Sequence, residues 1–309
     1  MRQEAHTKRD SGSMTKDELF LDNRNLLFSI AYDMLGNVSE AEDMVQETYI
    51  KWMGSNEIVS YPKAYLVKIV TNLSINYRDL ARKKREQYVG VWLPGPVVQK
   101  AGSTFQPAEM YHALSIGLMV LLEKLSPLER AVFLLKEIFS YDHREIAEVV
   151  GKTEENCRQL LARAKKQLGN DQKRFQIDMQ SHEEILKRFI EACSAGDMDK
   201  LITLLKEDIT LYADGGGSSF EINKQKITAV PHPLYGREAV AQFLIAITSR
   251  FRTMAPDPNY KVMLVNGLPA LVNYSGETPI NIVCLQIEDG KISNVYGHSN
   301  PEKLKAGGL

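Results

Sequence analysis

Residues 142–168 read DHREIAEVVGKTEENCRQLLARAKKQL. Ile146, Val149 and Val150 recur at helical steps, Gly151 supplies a sharp turn, and Thr153 stands where a second helix needs its cap. That second helix carries Cys157, Leu160, Leu161, Ala164 and Leu168 on one face, and Ala147 on the first is small enough to let the two cross closely. This turn and this apolar spacing predict a helix-turn-helix, whose second helix enters the major groove of DNA. Asn156, Arg158, Gln159, Arg163 and Lys166 are left on the outward face, a set able to bond base edges and phosphates. Cys157, on the inner face, reads as a small buried hydrophobe.

Working outward, the whole first half is helical. Leu19, Phe20, Leu26, Leu27, Ile30, Ala31, Met34 and Leu35 follow three- and four-residue steps until Gly36-Asn37 stops the run. Ser39, with Glu42 three residues on, is expected to cap the next helix as a capping box. A third helix begins at Pro62 and runs through Tyr65, Leu66, Ile69, Val70 and Leu73 to the basic cluster Arg82–Arg85. Periodicity then disappears. Pro94, Gly95, Pro96, Gly102 and Pro107 forbid a continuous helix, so 90–109 is expected to be a linker, far longer than an ordinary loop of about 4–6 residues. Helical patterns resume over 110–125, 127–139 and the helix-turn-helix.

The texture changes after residue 178. Helices are expected over 181–195, 198–205 and 237–251, and strands over 209–213, 260–265, 270–274, 280–287 and 292–296. Asn266-Gly267, Ser275-Gly276 and Asp289-Gly290 are hairpin-turn signals between the last four strands. An all-α first half thus precedes an α+β unit. The expected organisation is a disordered arm over 1–13, helical domains over 14–89 and 110–174 joined by the linker, and the α+β domain over 178–304.

Composition narrows the function classes. The chain has 309 residues, 44% hydrophobic and 25% charged, about twice a typical domain of roughly 150. No apolar run approaches the ~20 residues of a membrane helix, and the polar N-terminus has no signal core, so a cytoplasmic protein with no membrane partner is expected. Three scattered cysteines, Cys157, Cys193 and Cys284, give neither a disulfide framework nor metal-ligand spacing. The net charge of −1 conceals an asymmetry. Residues 61–90 hold seven bases against two acids and 152–174 hold seven against three, whereas from Asp178 onward 16 acids face 13 bases. Two basic segments flanking a linker suit a polyanion partner, because phosphate neutralisation supplies most non-specific nucleic-acid affinity.

Over Leu19–Leu168 the chain resembles the extracytoplasmic-function sigma factors of bacterial RNA polymerase. SEAEDMVQETY, residues 39–49, is similar to the family's region 2.2 helix; the resemblance implies that Asp43, Gln46 and Glu47 dock on the clamp of the large catalytic subunit of core polymerase. PKAYL at 62–66, continuing through Asn72 to the basic cluster, is similar to the stretch that opens the −10 promoter element, with Tyr65 where relatives often carry Trp. It implies that Tyr65, Lys68, Asn72, Asn76 and Arg78 contact promoter DNA, and stacking on an aromatic is worth ~1–3 kcal/mol per base. LSPLER at 125–130 and Tyr141–Leu168 are similar to region 4, which reads the −35 element.

The order of elements in the C-terminal third resembles the SnoaL-like, nuclear-transport-factor-2-like α+β cone. Three motifs resemble the sigma-factor subgroup that carries this domain as a permanent fusion. They are Trp92-Leu93-Pro94-Gly95-Pro96, with Gly95 in place of the usual acid; Asp214-Gly215-Gly216-Gly217, with Ser218 where a Lys is common; and Asn300-Pro301-Glu302-Lys303-Leu304. The resemblance implies a non-enzymatic promoter-specificity subunit without cofactor, regulated in cis by contact among these motifs, with a C-terminal pocket that could take a small-molecule ligand. Two alternatives stand beside it. One is a cyclase- or isomerase-like cone enzyme tethered to a DNA-binding module, with Asp214, His232 and His298 as its acid–base candidates. The other is a simple repressor, which needs neither the long linker nor the acidic helix.

Overall fold

The computed structural model describes residues 14–56, 59–86, 88, 90–99, 114–169, 178–215, 219–222, 225–228, 230–255 and 257–309, with backbone alone for 79, 81–86, 219–222 and 225–228. The expected arm over 1–13, the linker beyond Gln99, and Gly216 and Gly217 lie outside the described residues, as do the side chains of Arg82–Arg85.

Three helices form the first unit: α1 (Lys16–Leu35), α2 (Val38–Gly54) and α3 (Pro62–Glu86). Thr15 and Glu18 close a capping box on α1, and Gly36 ends it in the left-handed conformation at φ 71°. Asn37, not Ser39, caps α2, its side chain accepting from the Glu40 N–H. The reason is local: once Gly36 reverses the chain, Asn37 is already extended (φ −139°, ψ 127°), so the helix starts one residue later and Ser39 falls inside its first turn.

The second unit comprises α4 (Ile116–Leu122), α5 (Pro127–Phe133), α6 (His143–Val150) and α7 (Glu154–Leu168), with a π-helical turn at Leu134–Ile138 extending α5. Ser126 and Glu129 form a capping box behind Pro127. One continuous apolar core runs through both units, from Leu27 and Tyr32 of α1 to Leu134, Ile146 and Leu160. The two helical units are therefore packed as one body.

The C-terminal third holds α8 (Met179–Ala195), α9 (Met198–Leu204), α10 (Arg237–Met254) and α11 (Pro301–Ala306). Its strands are β2 (Leu205–Asp214), β3 (Ser219–Ile222), β4 (Gln225–Thr228), β5 (Leu234–Tyr235), β6 (Pro258–Val265), β7 (Leu268–Ser275), β8 (Thr278–Glu288) and β9 (Lys291–His298). A seventh strand of the main sheet, β1 (Val98–Gln99), comes from the linker, giving the order β1-β6-β7-β8-β9-β2-β5; β3 and β4 form a separate ribbon. All neighbours in the main sheet are antiparallel except β2 and β9. Two turns fall at the expected dipeptides, with positive φ at Asn266, Gly267, Asp289 and Gly290; the third is Gly276-Glu277, one position beyond the expected Ser275-Gly276, because Ser275 still pairs with Thr278 and only Gly276 takes positive φ.

The sheet is covered on both faces, and this decides the architecture. One face packs on α8, α9 and α10 through Phe189, Leu201, Leu244, Leu285 and Val295. The opposite face, with Ala270, Val272, Ile282, Cys284 and Tyr296, is covered by Leu93 and Val98 of the linker, Ile116 of α4 and Leu304 of α11. The linker is buried from Leu93 to Val98 and serves as a wall of the C-terminal domain, a fuller seating than contact among the three motifs requires. A two-residue strand whose partner lies more than 160 positions away leaves no periodic trace in sequence.

Gly36 shows how closely the linker is seated. A β-carbon there would lie 3.0 Å from the Trp92 ring and 3.4 Å from Pro94 Cβ, on a backbone that side chains rarely adopt. Gly36→Ala is expected to cost about 1–2 kcal/mol from the left-handed backbone alone and to red-shift Trp92 emission. Denaturant unfolding followed by fluorescence in a Trp52→Phe background checks both.

Candidate nucleic-acid interface and interdomain latch

The helix-turn-helix is built as its residues demand. Thr153 caps α7 by accepting from the Asn156 N–H at 3.2 Å, and Gly151 turns the chain at φ 64°. Cys157, Leu160, Leu161, Ala164 and Leu168 are buried, while Asn156, Arg158, Gln159, Arg163 and Lys166 are all exposed. Arg158 donates to Glu154 at 2.8 Å and Gln159 to Glu155 at 3.3 Å, which orders these side chains on the helix surface. Such exposed i, i+4 pairs are weak, about 0.3–0.5 kcal/mol.

The α3 residues are less uniform. Lys68 and Asn76 are exposed, and Tyr65 is half-buried with its ring 5.9 Å from that of Trp52. Asn72 donates across to the second unit, reaching the Val149 carbonyl of α6 at 2.7 Å. Arg78 departs from the expectation of a DNA-facing cation. It is buried, donating to the Met34 carbonyl at 2.6 Å and pairing with Glu123 at 3.3 Å, because the C-terminal end of α1 offers it unsatisfied carbonyls.

On α2, Asp43 and Gln46 are exposed, and Glu47 is half-buried and 3.6 Å from Lys51. Beside them runs a groove between α1 and α2 lined by Phe20, Leu21, Val45, Tyr49 and Ile50. Leu21 and Ile50 are each 63% exposed, an apolar strip that the sequence reading did not separate from the helix core.

The three motifs of the linker and C-terminal third meet at one carboxylate. Asp214, fully buried at the end of β2, accepts from the Leu93 N–H at 2.9 Å, from Lys303 Nζ at 2.6 Å and from the Tyr88 hydroxyl. Lys303 also donates to the Leu93 carbonyl at 2.5 Å and lies 4.5 Å from the Trp92 ring centre and 5.1 Å from that of Tyr88. Asn300 caps α11 and donates to the Tyr88 hydroxyl at 3.0 Å, while Pro301 opens the helix and Leu304 packs on the sheet. Pro94 packs over Gly36, and Gly215 follows Asp214 in the buried interior. Burial and the Asp214 carboxylate hold the Tyr88 hydroxyl well above its usual range, so Tyr88 acts as a donor here.

Tyr88 and Lys303 were not among the predicted contacts; the only trace of Lys303 in sequence is its place inside the tail motif. Gly95, lacking the family's acid, binds through its backbone, donating to the Gly36 carbonyl at 2.8 Å and accepting from the Tyr32 hydroxyl at 2.6 Å. Asn266 is a second unpredicted hub, with amide contacts to Val97, Leu114 and the Tyr32 hydroxyl.

The acid–base candidates do not assemble. His232 is exposed, Asp214 is taken up by its three donors, and His298, its register neighbour on β9, is enclosed with both ring nitrogens unpartnered. Burial lowers the His298 pKa from an ordinary 6.5 to about 4, Asp214 opposing and Lys303 reinforcing the shift. No cluster of metal-ligating side chains occurs among the described residues, and no helix there is long and apolar enough to cross a membrane.

Comparison with known proteins fits this geometry. Residues 19–86 match Sigma-70 region 2 and residues 116–168 match Sigma-70, region 4. Over 292 residues, 91% of this chain and 90% of its relative, the sequence is 31% identical to the ECF RNA polymerase sigma factor SigJ of Mycobacterium tuberculosis. The chain therefore belongs to the extracytoplasmic-function sigma factors, which bind RNA polymerase core and promoter DNA. Probable ECF RNA polymerase sigma factor SigI of the same organism is 27% identical, covering 91% of this chain and 92% of its own. The crystal structure of M. tuberculosis SigJ matches with a TM-score of 0.74 at 29% identity, over 94% of this chain and 98% of that one. The α1–α3 unit is region 2 and the α4–α7 unit region 4; these relatives do not favour the enzyme alternative.

Two outcomes follow from the latch. Lys303→Met leaves a buried carboxylate unpaired and is expected to cost about 3–5 kcal/mol, much of it recovered when Asp214→Asn is added; denaturant unfolding of the two variants checks this. His298 gives a pH dependence of definite sign. A base whose folded pKa lies below its unfolded value contributes stability above about pH 6.5 that is lost as pH falls toward 4, roughly 3 kcal/mol over the full window. His298→Leu is expected to flatten that part of the stability-against-pH curve.

Proposed function

We propose that this sigma factor docks on the clamp of the large catalytic subunit through the α1–α2 surface, opens the −10 element with α3 and reads the −35 element with α7, in the cytoplasm. The observation that carries the reading is the α1–α2 groove, where exposed Leu21 and Ile50 lie beside Gln46, with Asp43 and Glu47 on the same helix. An apolar anchor rimmed by polar groups is the usual anatomy of a protein interface. For the −10 element, Tyr65 supplies a stacking face and Lys68, Asn72 and Asn76 follow at helical steps; Arg78 supports them by fixing α3 to α1. For the −35 element, Arg158 and Arg163 lie five positions apart and so divide between base and phosphate.

Regulation in cis runs through the latch. Trp92, Leu93 and Pro94, Asp214 with Gly215, and Asn300, Pro301 and Leu304 set the path of the linker, and hence the spacing of regions 2 and 4. A small-molecule ligand of the C-terminal domain has a candidate place in a cavity of about 210 Å³ between α4, α8 and the sheet, lined by Gly117, His182, Pro269, Cys284, Gln286 and Tyr296. It touches both region 4 and the sheet, so filling it would bear on their contact.

The test is binding to purified core polymerase followed by run-off transcription. Asp43→Ala with Gln46→Ala, and separately Ile50→Glu, are expected to weaken core binding roughly tenfold or more with unchanged melting temperature, since interface anchors are typically worth at least ~2 kcal/mol. Wild-type affinity in both variants would overturn the docking surface.

A further inference from the structure

We infer that the cavity between α4, α8 and the sheet takes a small uncharged molecule with an apolar ring body and one N–H or O–H donor, and that His182 receives that donor. This rests on the proposed ligand site, whose lining decides the class. The walls come from three parts of the chain: Ile116 and Gly117 at the start of region 4, His182 near the start of α8, and Pro269 and Cys284 of the sheet.

Volume sets the size. An apolar cavity of about 150 Å³ holds benzene, so about 210 Å³ admits one fused two-ring frame. The inner walls suit such a frame, because Ile116, Val265, Ala270 and Leu285 are all buried apolar residues. The polar groups beside them are largely spent on one another. Gln286 Oε1 accepts from the Tyr296 hydroxyl at 2.7 Å and from Asn294 at 3.1 Å, and its Nε2 donates to Glu288 at 3.1 Å. The Ser115 hydroxyl oxygen accepts from the Leu118 N–H as the cap of α4.

One acceptor is left over. His182 is 3% exposed, and its Nε2 lies 3.1 Å from the Pro269 carbonyl. A carbonyl only accepts, so Nε2 carries the proton and Nδ1 keeps a lone pair. No donor among the described residues reaches Nδ1. Unlike the ring nitrogens of His298, it is open to a water-sized space, and the space that His182 borders is the cavity. A molecule that displaces water from Nδ1 must return a hydrogen bond or lose affinity.

The lining also selects against charge. Burial lowers the His182 pKa, against the pull of its Pro269 bond, so the ring is neutral near pH 7, and burial pushes the Cys284 thiol up to about 12. An ion inside would therefore find no opposite charge on these walls, and burying an unpaired ion is costly. The carboxylates that border the space, Asp178 and Asp289, belong to exposed residues at its mouth. Because region 4 and the C-terminal domain both supply walls, occupancy favours the arrangement in which they touch.

Calorimetric titration of the full-length protein with four probes of one frame tests this: indole; 1-methylindole, which has no donor; indole-5-carboxylate, an anion; and 5-(aminomethyl)indole, a cation. Indole is expected to bind and to raise the melting temperature. 1-Methylindole is expected to bind about tenfold more weakly, the worth of the hydrogen bond that Nδ1 loses, and each charged probe weaker by about tenfold or more. His182→Leu is expected to abolish the preference for indole over 1-methylindole. Leu268→Trp, which fills the cavity from a half-buried position on its edge, is expected to abolish binding of both. The selectivity of the wild-type protein decides the class even where a variant does not fold.

Equal affinity for indole and 1-methylindole, or tighter binding of a charged probe, with that binding lost in Leu268→Trp, would overturn the ligand class and keep the cavity as a ligand site. No binding of any probe at millimolar concentration, or binding unchanged in Leu268→Trp, would overturn the site as well.

Discussion

A single buried carboxylate, Asp214, holds together segments separated by about 90 to 126 positions of chain. Its donors come from the Tyr88–Leu93 stretch and from Lys303 in the last helix, so the linker, the central sheet and the tail are fixed in one event. The desolvation of Asp214 and Lys303 is offset by hydrogen bonds on both sides and by two aromatic faces over the ammonium, the conditions under which a buried pair holds. Once Leu93 is tied down, Val97 and Val98 fall beside β6, and β1 adds to the sheet edge. The tail completes the arrangement. Val98 donates to the Gly307 carbonyl, and a β-carbon at Gly307 would fall 1.9 Å from the Pro96 carbonyl, so only glycine fits there.

The second constraint is the apolar account of the sheet. Its face bearing Val272, Ile282 and Cys284 would keep only Leu304 of α11 as cover if the C-terminal domain stood alone; here the linker and Ile116 complete it. Asn266 serves the same junction with polar groups. At φ 51° it turns the β6–β7 hairpin, and its side chain spans the linker, Leu114 two residues before α4, and Tyr32 of region 2. A turn chosen for its backbone thereby becomes the point where all parts of the chain touch.

These facts explain what sequence could and could not disclose. Local signals were legible: the capping and turn residues around α6 and α7, the Asn-Gly and Asp-Gly hairpins, and the apolar stripes that buried Leu160 and Ile146. The latch was legible in part, because Trp92, Asp214 and Asn300 lie in recognisable motifs, while Lys303 and Tyr88 emerged only from geometry. Arg78 was misjudged for a physical reason. Its charge and spacing match a DNA-facing cation, and whether it turns outward depends on the carbonyls that α1 exposes and on Glu123, contributed 45 positions later. The short strands β1 and β5 owe their existence to neighbours rather than to their own residues.

The latch and the junction of regions 2 and 4 bury charge differently. In the latch, Lys303 and both oxygens of Asp214 are bonded, and two aromatic faces lie over the ammonium. At the junction, Arg78 and Arg130 both pair with Glu123, while the Asp33 carboxyl oxygens and one Arg130 nitrogen are buried without a hydrogen-bond partner. Opening either would return water to its charged groups, so the two differ in what is already bonded: the latch gives up hydrogen bonds on both oxygens of its carboxylate, whereas the junction leaves a whole carboxyl unbonded. The described linker is tied on both sides, to region 2 through Gly95 and to the sheet through Val97 and Val98, so it cannot follow one without leaving the other.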